Sequence, residues 1–337
     1  MPRADAPRVA LVKLSALGDV VHALPVAAAL RAAHPHAHLA WIVERREAVI
    51  LRGHPALDEV IVADTRGWRR ARTPGAVRAA LAEMRALRQR LSQARFDVAL
   101  DLQGLMKSGL ITAASGARRR IGFDARWGRE PLHALFLNQR VAAPASRHVV
   151  EQYLALLGPL GIEPGRPVFH LPAASAAEAR VEGWLATAGL KAHQRLVVLN
   201  PGAGRADKLW PIGHLTTLAR RLAHDAAAHV VLTWGPGEEE AARVVVQGSG
   251  ASVLAPPTDL DALLALLRRA SVVVAADTGP LHMAAALGTP CVGLYGPTSP
   301  ARNGPYGAGH RALSSPDGTM AGLAPEPVLA AVSELLG

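Results

Sequence analysis

The chain has 337 residues, of which 50% are hydrophobic and 19% charged, which is typical of a soluble globular protein of about two domains and excludes a disordered or collagen-like chain. Its net charge of +10 favours nucleic acid, an anionic membrane surface or an anionic substrate as partner, unless the arginine-rich composition only reflects a GC-rich genome. No apolar stretch reaches the roughly 18 residues of a membrane-spanning helix, so we expect any membrane contact to be made from the surface.

The first half alternates short apolar runs with longer amphipathic segments, the pattern of a parallel sheet with crossover helices. The initial MPRADAPRVALVKL contains no apolar core of signal-peptide length. Strands are predicted for residues 8–14, 39–44, 59–64 and 96–101, and helices for 19–34, 74–93 and 148–161. The helix 74–93 has apolar residues at helical spacing, and we expect that face to pack on a sheet. Those residues are Val77, Ala80, Leu81, Met84, Leu87 and Leu91.

A proline-rich segment, 162–175, indicates a domain connection, after which the alternation restarts. Strands are predicted for 195–200, 228–234, 271–276 and 290–296, and helices for 178–188, 211–225, 238–247, 259–269, 280–287 and the tail. Cys291 in the last strand is the only cysteine, which excludes a disulfide framework or a cysteine-based zinc site within the chain and indicates a reducing setting. Two doubly wound domains of this kind place a cleft at the carboxyl ends of both sheets.

The predicted domain organisation has four parts. They are a first domain at 1–165, a connection at 166–180, a second domain at 181–320, and a C-terminal helix at 321–337 that is expected to pack back on the first domain.

The familiar nucleotide and hydrolase fingerprints are missing. The first strand–helix turn, LSALGDVVH, has no G-x-G-x-x-G, and neither a P-loop, a G-x-S-x-G elbow nor an H-E-x-x-H motif occurs. A dehydrogenase, a P-loop kinase and a zinc hydrolase are therefore disfavoured.

The turn KLSALGD carries Asp19 at the start of a helix, directly after Gly18. Such an aspartate is either a helix-capping residue or a carboxylate at the cleft that the helix dipole keeps ionised and able to accept a proton. The sequence alone favours the capping interpretation.

Two turns of the second half have the composition of a phosphate and nucleoside site. NPGAGRADKLWP combines Gly202 and Gly204 with Lys208, which suits backbone donors and one point charge around a phosphate, although a plain surface loop fits as well. TWGPGEEE places Glu238 in the first turn of a helix, where it is either a dipole partner or a ligand of a ribose.

The stretch AADTGPLHMAAALGTP runs from a buried strand through a sharp turn into a helix. Its unpaired helix N-terminus is suited to an anion, whereas His282 considered alone is typical of a buried helix residue. The triplet Asp259-Leu260-Asp261 is better explained by helix capping than by a metal, and we expect no metal site.

Basic residues cluster at 66–72 and 116–130, with Trp68 and Trp127 among them. Solvated charge is the usual explanation, and stacking on nucleic acid is the alternative. No helix-turn-helix, RRM or KH pattern accompanies the clusters, so nucleic acid is not expected.

Taken in order, these motifs resemble the ADP-heptose:lipopolysaccharide heptosyltransferases, glycosyltransferase family 9. The resemblance rests on VKLSALGDVVHALPVAAALRAAHP, DLQGLMKSG, RRRIGFD, REPLHALF, NPGA…DKLWP, TWGPGEEE and DTGPLHMAAALGTPCVGLYGPTSP, and it covers nearly the whole chain. Within the family it is nearest to heptosyltransferase I, which adds the first heptose to the Kdo of the inner core. The resemblance implies a GT-B fold of two Rossmann-like domains facing a central cleft, with the acceptor bound by the first domain (1–165) and the nucleotide sugar by the second (181–320). It also implies an inverting reaction and no cofactor or tightly bound metal.

The resemblance also implies roles for individual residues. Asp19 is the implied general base, Lys208 steadies the leaving ADP, and Glu238 contacts the nucleoside. Donor-binding residues are implied at Gly18, Gly202, Ala203, Gly204, Lys208, Glu238, Thr258, Asp277, Thr278, Gly279 and His282. Acceptor-binding residues are implied at Ser15, Arg69, Arg70, Arg72, Gln103, Lys107 and Arg129. Some heptosyltransferase I sequences have two hydroxyl residues where this chain has Ala203 and Gly204, so backbone groups must contact the donor phosphate there.

The implied partners are ADP-heptose and the anionic acceptor Kdo2-lipid A, with no nucleic acid. The implied protein is a monomer in the cytoplasm, peripheral to the inner face of the cytoplasmic membrane. One alternative is a family member that uses ADP-heptose or another nucleotide sugar on a small-molecule acceptor, which the basic Arg69–Arg72 segment argues against. Another is a nucleic-acid-binding or structural protein on a degenerate scaffold, against which Asp19, Lys208 and His282 argue.

Overall fold

In the computed structural model, which describes residues 6–143, 147–191, 194–226 and 228–337, the chain divides into two α/β units, 1–171 and 172–337. The division falls inside both the proline-rich segment 162–175 and the predicted connection 166–180. The first five residues of the predicted first domain lie outside the described residues.

The first unit is built on a six-stranded parallel sheet. Its strands are β1 (Arg8–Val12), β2 (His38–Val43), β3 (Glu59–Val62), β4 (Val98–Asp101), β5 (Arg119–Phe123) and β6 (Gln139–Val141). Its helices are α1 (Leu17–Ala33), α2 (Thr65–Arg70), α3 (Pro74–Gln93), α4 (Met106–Ala114) and α5 (Val149–Ala155). Short 3-10 turns lie at Ala48–Leu51, Pro131–Phe136 and Gly158–Leu160. The strand order is β3-β2-β1-β4-β5-β6, and every pair is parallel.

The second unit repeats this plan. Its strands are β7 (Leu196–Asn200), β8 (His229–Leu232), β9 (Ser252–Leu254), β10 (Val272–Ala276), β11 (Cys291–Tyr295) and β12 (Arg311–Ser314). Its helices are α6 (Ser175–Thr187), α7 (Ile212–Asp225), α8 (Glu239–Ser249), α9 (Leu260–Arg269), α10 (Gly279–Ala286), α11 (Pro300–Asn303) and α12 (Pro325–Leu336), with a 3-10 turn at Ala206–Lys208. The order β12-β11-β10-β7-β8-β9 is the same doubly wound order as in the first unit.

Both sheets are buried because helices cover them, which explains why their strands are short continuous apolar runs. In the first unit, alternate strand residues such as Val12, Ile42 and Ile61 pack in one cluster with Leu91 of α3 and Ile111 of α4. The doubly wound order places one switch point between β1 and β4 and the other between β7 and β10. Ligands of such folds bind at these points, outside the carboxyl ends of the strands.

The apolar face of α3 does not pack on the sheet as its spacing predicts. Only Leu91, near the carboxyl end of the helix, is buried, whereas Val77, Leu81 and Met84 are 41%, 46% and 45% exposed. Helical periodicity shows that a face is apolar but not what covers it, and along most of α3 that face is only partly covered.

The basic run 116–130 is only in part a solvated charge run, since Arg118 and Arg126 are exposed but others are held by neighbouring segments. It contains β5, whose arginines are held by the neighbouring segment: Arg119 donates to the side chain of Gln139, and Arg120 donates to the carbonyl oxygen of Phe136. Strands β6 and β9 have three residues each, too few for the period-2 pattern to register. The predicted helix 148–161 is divided into α5 and a 3-10 turn.

The C-terminal helix α12 has its apolar face inside the second unit. Val328, Ala331 and Val332 are buried in that unit's core with residues of α7 and β11. The expected packing of this helix on the first domain stays a prediction. Within the described ranges, no helix combines the length and apolarity needed to cross a membrane.

Candidate functional site

The first-unit site is built around Asp19, in the first turn of α1 just beyond the carboxyl end of β1. One carboxylate oxygen accepts the backbone N–H of Ala16 at 3.2 Å, so Asp19 does cap its own helix, as the sequence favours. Arg129 Nη2 donates to both carboxylate oxygens, at 3.1 and 3.0 Å. The side chain is 16% exposed, so the carboxylate still reaches the surface. Capping and a role in proton transfer are therefore compatible at this residue.

A buried lysine lies behind this carboxylate. Lys13 is fully buried and donates to the Tyr153 hydroxyl at 2.7 Å and to the carbonyl oxygen of Leu102 at 3.2 Å. The Tyr153 hydroxyl in turn lies 3.5 Å from Asp19 Oδ1. Asp19 thus has a cation on each side, one exposed to solvent and one enclosed.

The pKa of Asp19 results from opposing effects. Burial raises it, while the charges of Lys13 and Arg129 and the N–H of Ala16 lower it by more, so the pKa lies below the ordinary aspartate value. The same ion pair raises the pKa of Arg129. Asp19 is therefore ionised at neutral pH, which is the state a proton acceptor needs.

The loops after β4 and β5 fix the partners of Asp19. Gln103 Oε1 accepts the backbone N–H groups of Leu14 and Ser15, at 3.0 and 3.2 Å, and so holds the turn that precedes α1. Gly104 has φ +70°, and a Cβ there would lie 3.2 and 3.3 Å from the backbone of Gly128 and Arg129. The close approach of these two loops brings Arg129 to Asp19.

The other basic residues implied for the acceptor lie elsewhere in the first unit. Arg69 and Arg70 are in the last turn of α2, and Arg72 follows it; all three are exposed. Lys107, in α4, donates to Glu44 Oε1 at 3.3 Å and to Thr65 Oγ1 at 3.1 Å. The structure therefore pairs Arg129 with Asp19 and Gln103 with the backbone of Ser15, whereas these four cations lie on α2, directly after it, and on α4.

The second-unit site joins three of the implied donor residues directly. Asp277 follows β10 and is 6% exposed; its Oδ2 accepts from Lys208 Nζ at 2.7 Å, and its Oδ1 lies 3.0 Å from His282 Nε2. Burial raises the pKa of Asp277, but His282 and Lys208 hold it far below the ordinary range. This carboxylate is ionised and already occupied by two partners, which suits a ligand of sugar hydroxyls better than a proton acceptor.

The loop after β7 packs closely against the start of α8 because Gly202 has no side chain. Glu238 Oε2 accepts the backbone N–H of Gly235 at 2.8 Å, and a Cβ on Gly202 would lie 2.1 Å from the Glu238 carboxyl group. Gly202 is therefore needed for Glu238 to hold its position. Because β7 and β8 are neighbours, both residues lie at the same edge of the sheet.

The start of α10 has the properties expected of an anion site. Thr278 is at its N-cap, but its hydroxyl donates to the carbonyl oxygen of Ala276 and does not cap the helix. Gly279 and Pro280 open the helix, and proline at this position removes only a donor that the helix leaves unpaired. The remaining implied donor residues are Gly18, buried in α1, and Ala203, Gly204 and Thr258, in loops that follow β7 and β9.

Metal-ligating side chains do not cluster in the described part of the chain: no group of three or more His, Cys, Asp or Glu residues there could hold an ion. Asp259 accepts the backbone N–H of Ala262 at 2.8 Å and caps α9. The D-x-D triplet therefore has the structural role that its sequence context favours.

Sequence reasoning assigned no role to Lys13 and did not single out Tyr153. Lys13 belongs to the quoted turn, but a lysine at the end of a buried strand gives no sign of its partner. Tyr153 lies 140 residues further on in a helix, and only the fold brings the two together.

Comparison with known proteins gives consistent matches. The model of glycosyltransferase family 9 (heptosyltransferase) matches residues 84–326. Lipopolysaccharide heptosyltransferase 1 of Escherichia coli strain K12 is 32% identical, over 97% of this chain and 100% of the relative. The structure of E. coli heptosyltransferase WaaC with ADP is similar at TM-score 0.80 and 31% identity, covering 97% of this chain and 99% of that one. The structure of E. coli heptosyltransferase WaaC with ADP-2-deoxy-2-fluoro heptose is similar at TM-score 0.78 and 31% identity, covering 97% of this chain and 99% of that one.

Proposed function

Since the chain belongs to glycosyltransferase family 9, the heptosyltransferases, we propose that it moves L-glycero-D-manno-heptose from ADP-heptose to the Kdo of the lipopolysaccharide inner core. The family assignment and the predicted GT-B fold class are confirmed. Heptose transfer in lipopolysaccharide synthesis accords with the heptosyltransferase 1 relative and with the solved structures that hold ADP and an ADP-heptose analogue.

The observation that carries the mechanism is the ionised Asp19 carboxylate at the β1–β4 switch point. In the proposed reaction, Asp19 takes the proton of an acceptor hydroxyl while that oxygen attacks the anomeric carbon of the heptose. The bond from that carbon to the ADP oxygen breaks on the opposite face, so the configuration inverts and ADP leaves with the bonding electron pair. The proton ends on Asp19 and is later released to water.

Arg129 makes the basicity of Asp19 depend on whether the acceptor is bound. While Arg129 is paired with Asp19 at 3.0 Å, it keeps the pKa of the carboxyl low and the carboxylate weakly basic. An anionic acceptor that draws Arg129 toward itself raises the pKa of Asp19, because one of its two cations is withdrawn. Asp19 then becomes a better proton acceptor when the acceptor is bound.

The donor is assigned to the second unit. Lys208 and the N-terminus of α10 would bind the diphosphate of the donor, as a point charge and as backbone donors respectively. Asp277, held by His282, would accept hydrogen bonds from the heptose, and Glu238 from the ribose. Lys208 is already paired with Asp277, so it would serve diphosphate and sugar ligand together and steady the ADP that leaves.

No metal is needed in this scheme, because Lys208 and the helix N-terminus supply the positive charge that the leaving diphosphate requires. The proposed setting is the cytoplasm at the inner face of the membrane that holds the acceptor.

The deciding experiment is a transfer assay with the purified chain, ADP-heptose and Kdo2-lipid A. Heptose should be transferred, without loss of rate in EDTA, and ADP-glucose and GDP-mannose should be poor donors. Transfer to a small-molecule acceptor but not to Kdo2-lipid A would establish the alternative acceptor class. Absence of ADP release with every acceptor would contradict the proposal.

A further inference from the structure

His133, in the 3-10 turn Pro131–Phe136, is fully buried, and both of its ring nitrogens face carbonyl oxygens. Nδ1 lies 2.6 Å from the carbonyl oxygen of Glu130, and Nε2 lies 3.0 Å from that of Phe123. A carbonyl oxygen only accepts hydrogen bonds, and a neutral imidazole has a single N–H. Either neutral tautomer would therefore leave the lone pair of one ring nitrogen against a carbonyl oxygen.

The same conflict remains if the ring is turned. A ring rotated by half a turn would bring carbon atoms to the two carbonyl oxygens, and a C–H···O contact needs about 3.3 Å or more. Both distances at His133 are shorter than that. The two contacts are satisfied together only by the imidazolium form, which has an N–H on each nitrogen.

The countercharge for a buried imidazolium is available at Asp101, the last residue of β4, which is also fully buried. Its Oδ1 accepts the backbone N–H groups of Gln103 and Gly104, at 2.9 and 3.1 Å, and its Oδ2 lies 3.0 Å from the Ser108 hydroxyl. Burial raises the pKa of Asp101, while these hydrogen bonds and the charge of His133 act against that rise. A cation at His133 and an anion at Asp101 therefore stabilise each other inside the unit.

The other charged groups on the elements around His133 have different partners. Arg120 of β5 donates to two backbone carbonyl oxygens, and Lys107 of α4 donates to Glu44. The carboxylate of Asp124, which follows β5, accepts a backbone N–H of its own turn. The exposed Glu130 carboxylate accepts a backbone N–H at the start of α4. Among the described residues of these elements, Asp101 is the carboxylate left to balance a charge on the ring.

The ring of His133 also holds the loop that carries Arg129. Phe123 is the last residue of β5 and Glu130 directly follows Arg129, so the two ring hydrogen bonds tie both ends of this loop. Gly128 lies against the edge of the ring between them, since a Cβ there would be 1.9 Å from His133 Cε1. The loop is thus folded around the imidazole, and the position of Arg129 depends on it.

We propose that His133 is an imidazolium at neutral pH, with Asp101 as its counterion. Its two hydrogen bonds hold the Arg129 loop, residues 124–130, in the position from which Arg129 reaches Asp19. Because His133 is fully buried and acts through Arg129, it is a positioning residue. Its effect on transfer rests on the proposed function, whereas its charge and its hold on the loop do not.

The charge is tested by nitrogen NMR of the histidine rings at pH 7, with the His133 signals assigned by their loss in H133Q. Both ring nitrogens of His133 should have the shifts of N–H nitrogens. His54 is the internal control, because it is buried in the same unit, its Nδ1 accepts the backbone N–H of Ala56, and burial lowers its pKa to about 4. Its Nδ1 should have the shift of an unprotonated nitrogen. The same shift at either nitrogen of His133 would overturn the proposal.

D101N tests the countercharge. An amide keeps most of the shape of the carboxyl group but not its charge, so one ring nitrogen of His133 should lose its proton at pH 7. D97N, a change at an exposed carboxylate of the same unit, should leave both protons in place. Two N–H signals retained in D101N would show that Asp101 is not the counterion.

Hydrogen exchange measures the hold on the Arg129 loop without any substrate. The backbone N–H groups of Gly128 and Glu130 both form 3.0 Å hydrogen bonds. The single amide nitrogen of H133Q can replace only one of the two ring donors, so these N–H groups should exchange faster by about tenfold or more. H54Q should exchange there as the unmodified chain does. If H133Q does not fold, G128A, whose methyl group would displace the ring, should speed the exchange of Glu130. Unchanged exchange in the folded variant would contradict the hold on the loop.

The pH profile separates positioning from a purely structural role. H133Q should move the acidic limb of kcat/KM for the acceptor to higher pH, as R129A does, because a displaced Arg129 no longer lowers the pKa of Asp19. The KM for the donor should not change, and R129A/H133Q should show no further shift than R129A. An unmoved limb in H133Q would refute the positioning role. If no acceptor is converted while the NMR and exchange results are as expected, the proposed function fails and the imidazolium is upheld.

Discussion

Arg129 donates from one guanidinium nitrogen to both oxygens of the Asp19 carboxylate, at 3.1 and 3.0 Å. The pair lowers the pKa of Asp19 and raises that of Arg129. An arginine that is half exposed and bound to a carboxylate can be shared with an anionic ligand. Under the proposed function, an anionic acceptor that draws Arg129 away would raise the basicity of Asp19, and the predictions below test that link and the donor site in turn.

Asp19→Asn should lower kcat by about 100-fold or more, because an amide cannot accept the proton and general-base assistance contributes roughly that much. ADP affinity, measured by calorimetry, should stay within about twofold of the unmodified chain. Asp97→Asn is the matched control, since Asp97 is an exposed carboxylate of the same unit whose contact is the backbone N–H of Arg8. A near-normal rate in Asp19→Asn would remove Asp19 as the base.

Arg129→Ala should shift the acidic limb of the kcat/KM profile for the acceptor to higher pH. Asp19 works as the carboxylate, so activity is present above its pKa and is lost as the pH falls through it. Removing a cation raises that pKa, which moves the loss to higher pH. Arg129→Lys keeps the charge and should restore most of the original limb. An acidic limb that is the same in all three proteins would show that Arg129 does not act on the base.

Tyr153→Phe should lower the free energy of unfolding by roughly 1–3 kcal/mol, since the buried Lys13 ammonium loses a 2.7 Å acceptor. Urea unfolding at pH 7 measures this. The substitution leaves both charges beside Asp19, so the pH profile should move less than in Arg129→Ala. A large shift of the profile with unchanged stability would mean that the hydroxyl acts on Asp19 directly and does not serve to hold Lys13.

The fold was largely predictable from the sequence because buried parallel strands are continuous apolar runs. The predicted strands at 8–14, 96–101, 195–200 and 271–276 correspond to β1, β4, β7 and β10, which form the two switch points. The turns that follow them were correctly located for the same reason. The packing of the helices was harder to predict than the strands. The apolar stripe of α3 was recognised from its spacing, but which part of the protein covers such a stripe depends on tertiary packing.

The site was predictable where its residues are close in sequence and not where they meet across the fold. Asp277 and His282 are five residues apart in one turn, and their hydrogen bond follows from the local strand–helix junction. The pairings of Asp19 with Arg129 and of Lys13 with Tyr153 join segments more than 100 residues apart. Such pairs form only when the strand order brings the two segments together, and the spacing of residues within a single motif does not predict that order.

Lys208→Met should weaken ADP binding by about tenfold or more and lower kcat, because it removes the point charge assigned to the diphosphate. Titration calorimetry with ADP measures the first effect and steady-state kinetics the second. Arg205→Ala is the control, as Arg205 is an exposed cation of the same loop that pairs with Asp207. Equal losses in both variants would mean that the loop contributes only general positive charge.

Gly202→Ala should weaken ADP binding through Glu238 and not through the fold. The new Cβ would lie 2.1 Å from the Glu238 carboxyl group, and since this is the far end of a flexible side chain, the glutamate turns away while the backbone stays. The loss of ADP affinity should match that of Glu238→Ala, and the double variant should lose no more than either single one, because both changes remove the same contact. Gly204→Ala in the same loop is the steric control, since a Cβ there meets nothing within 4 Å. Additive losses in the double variant would show that Gly202 and Glu238 act on the nucleotide independently.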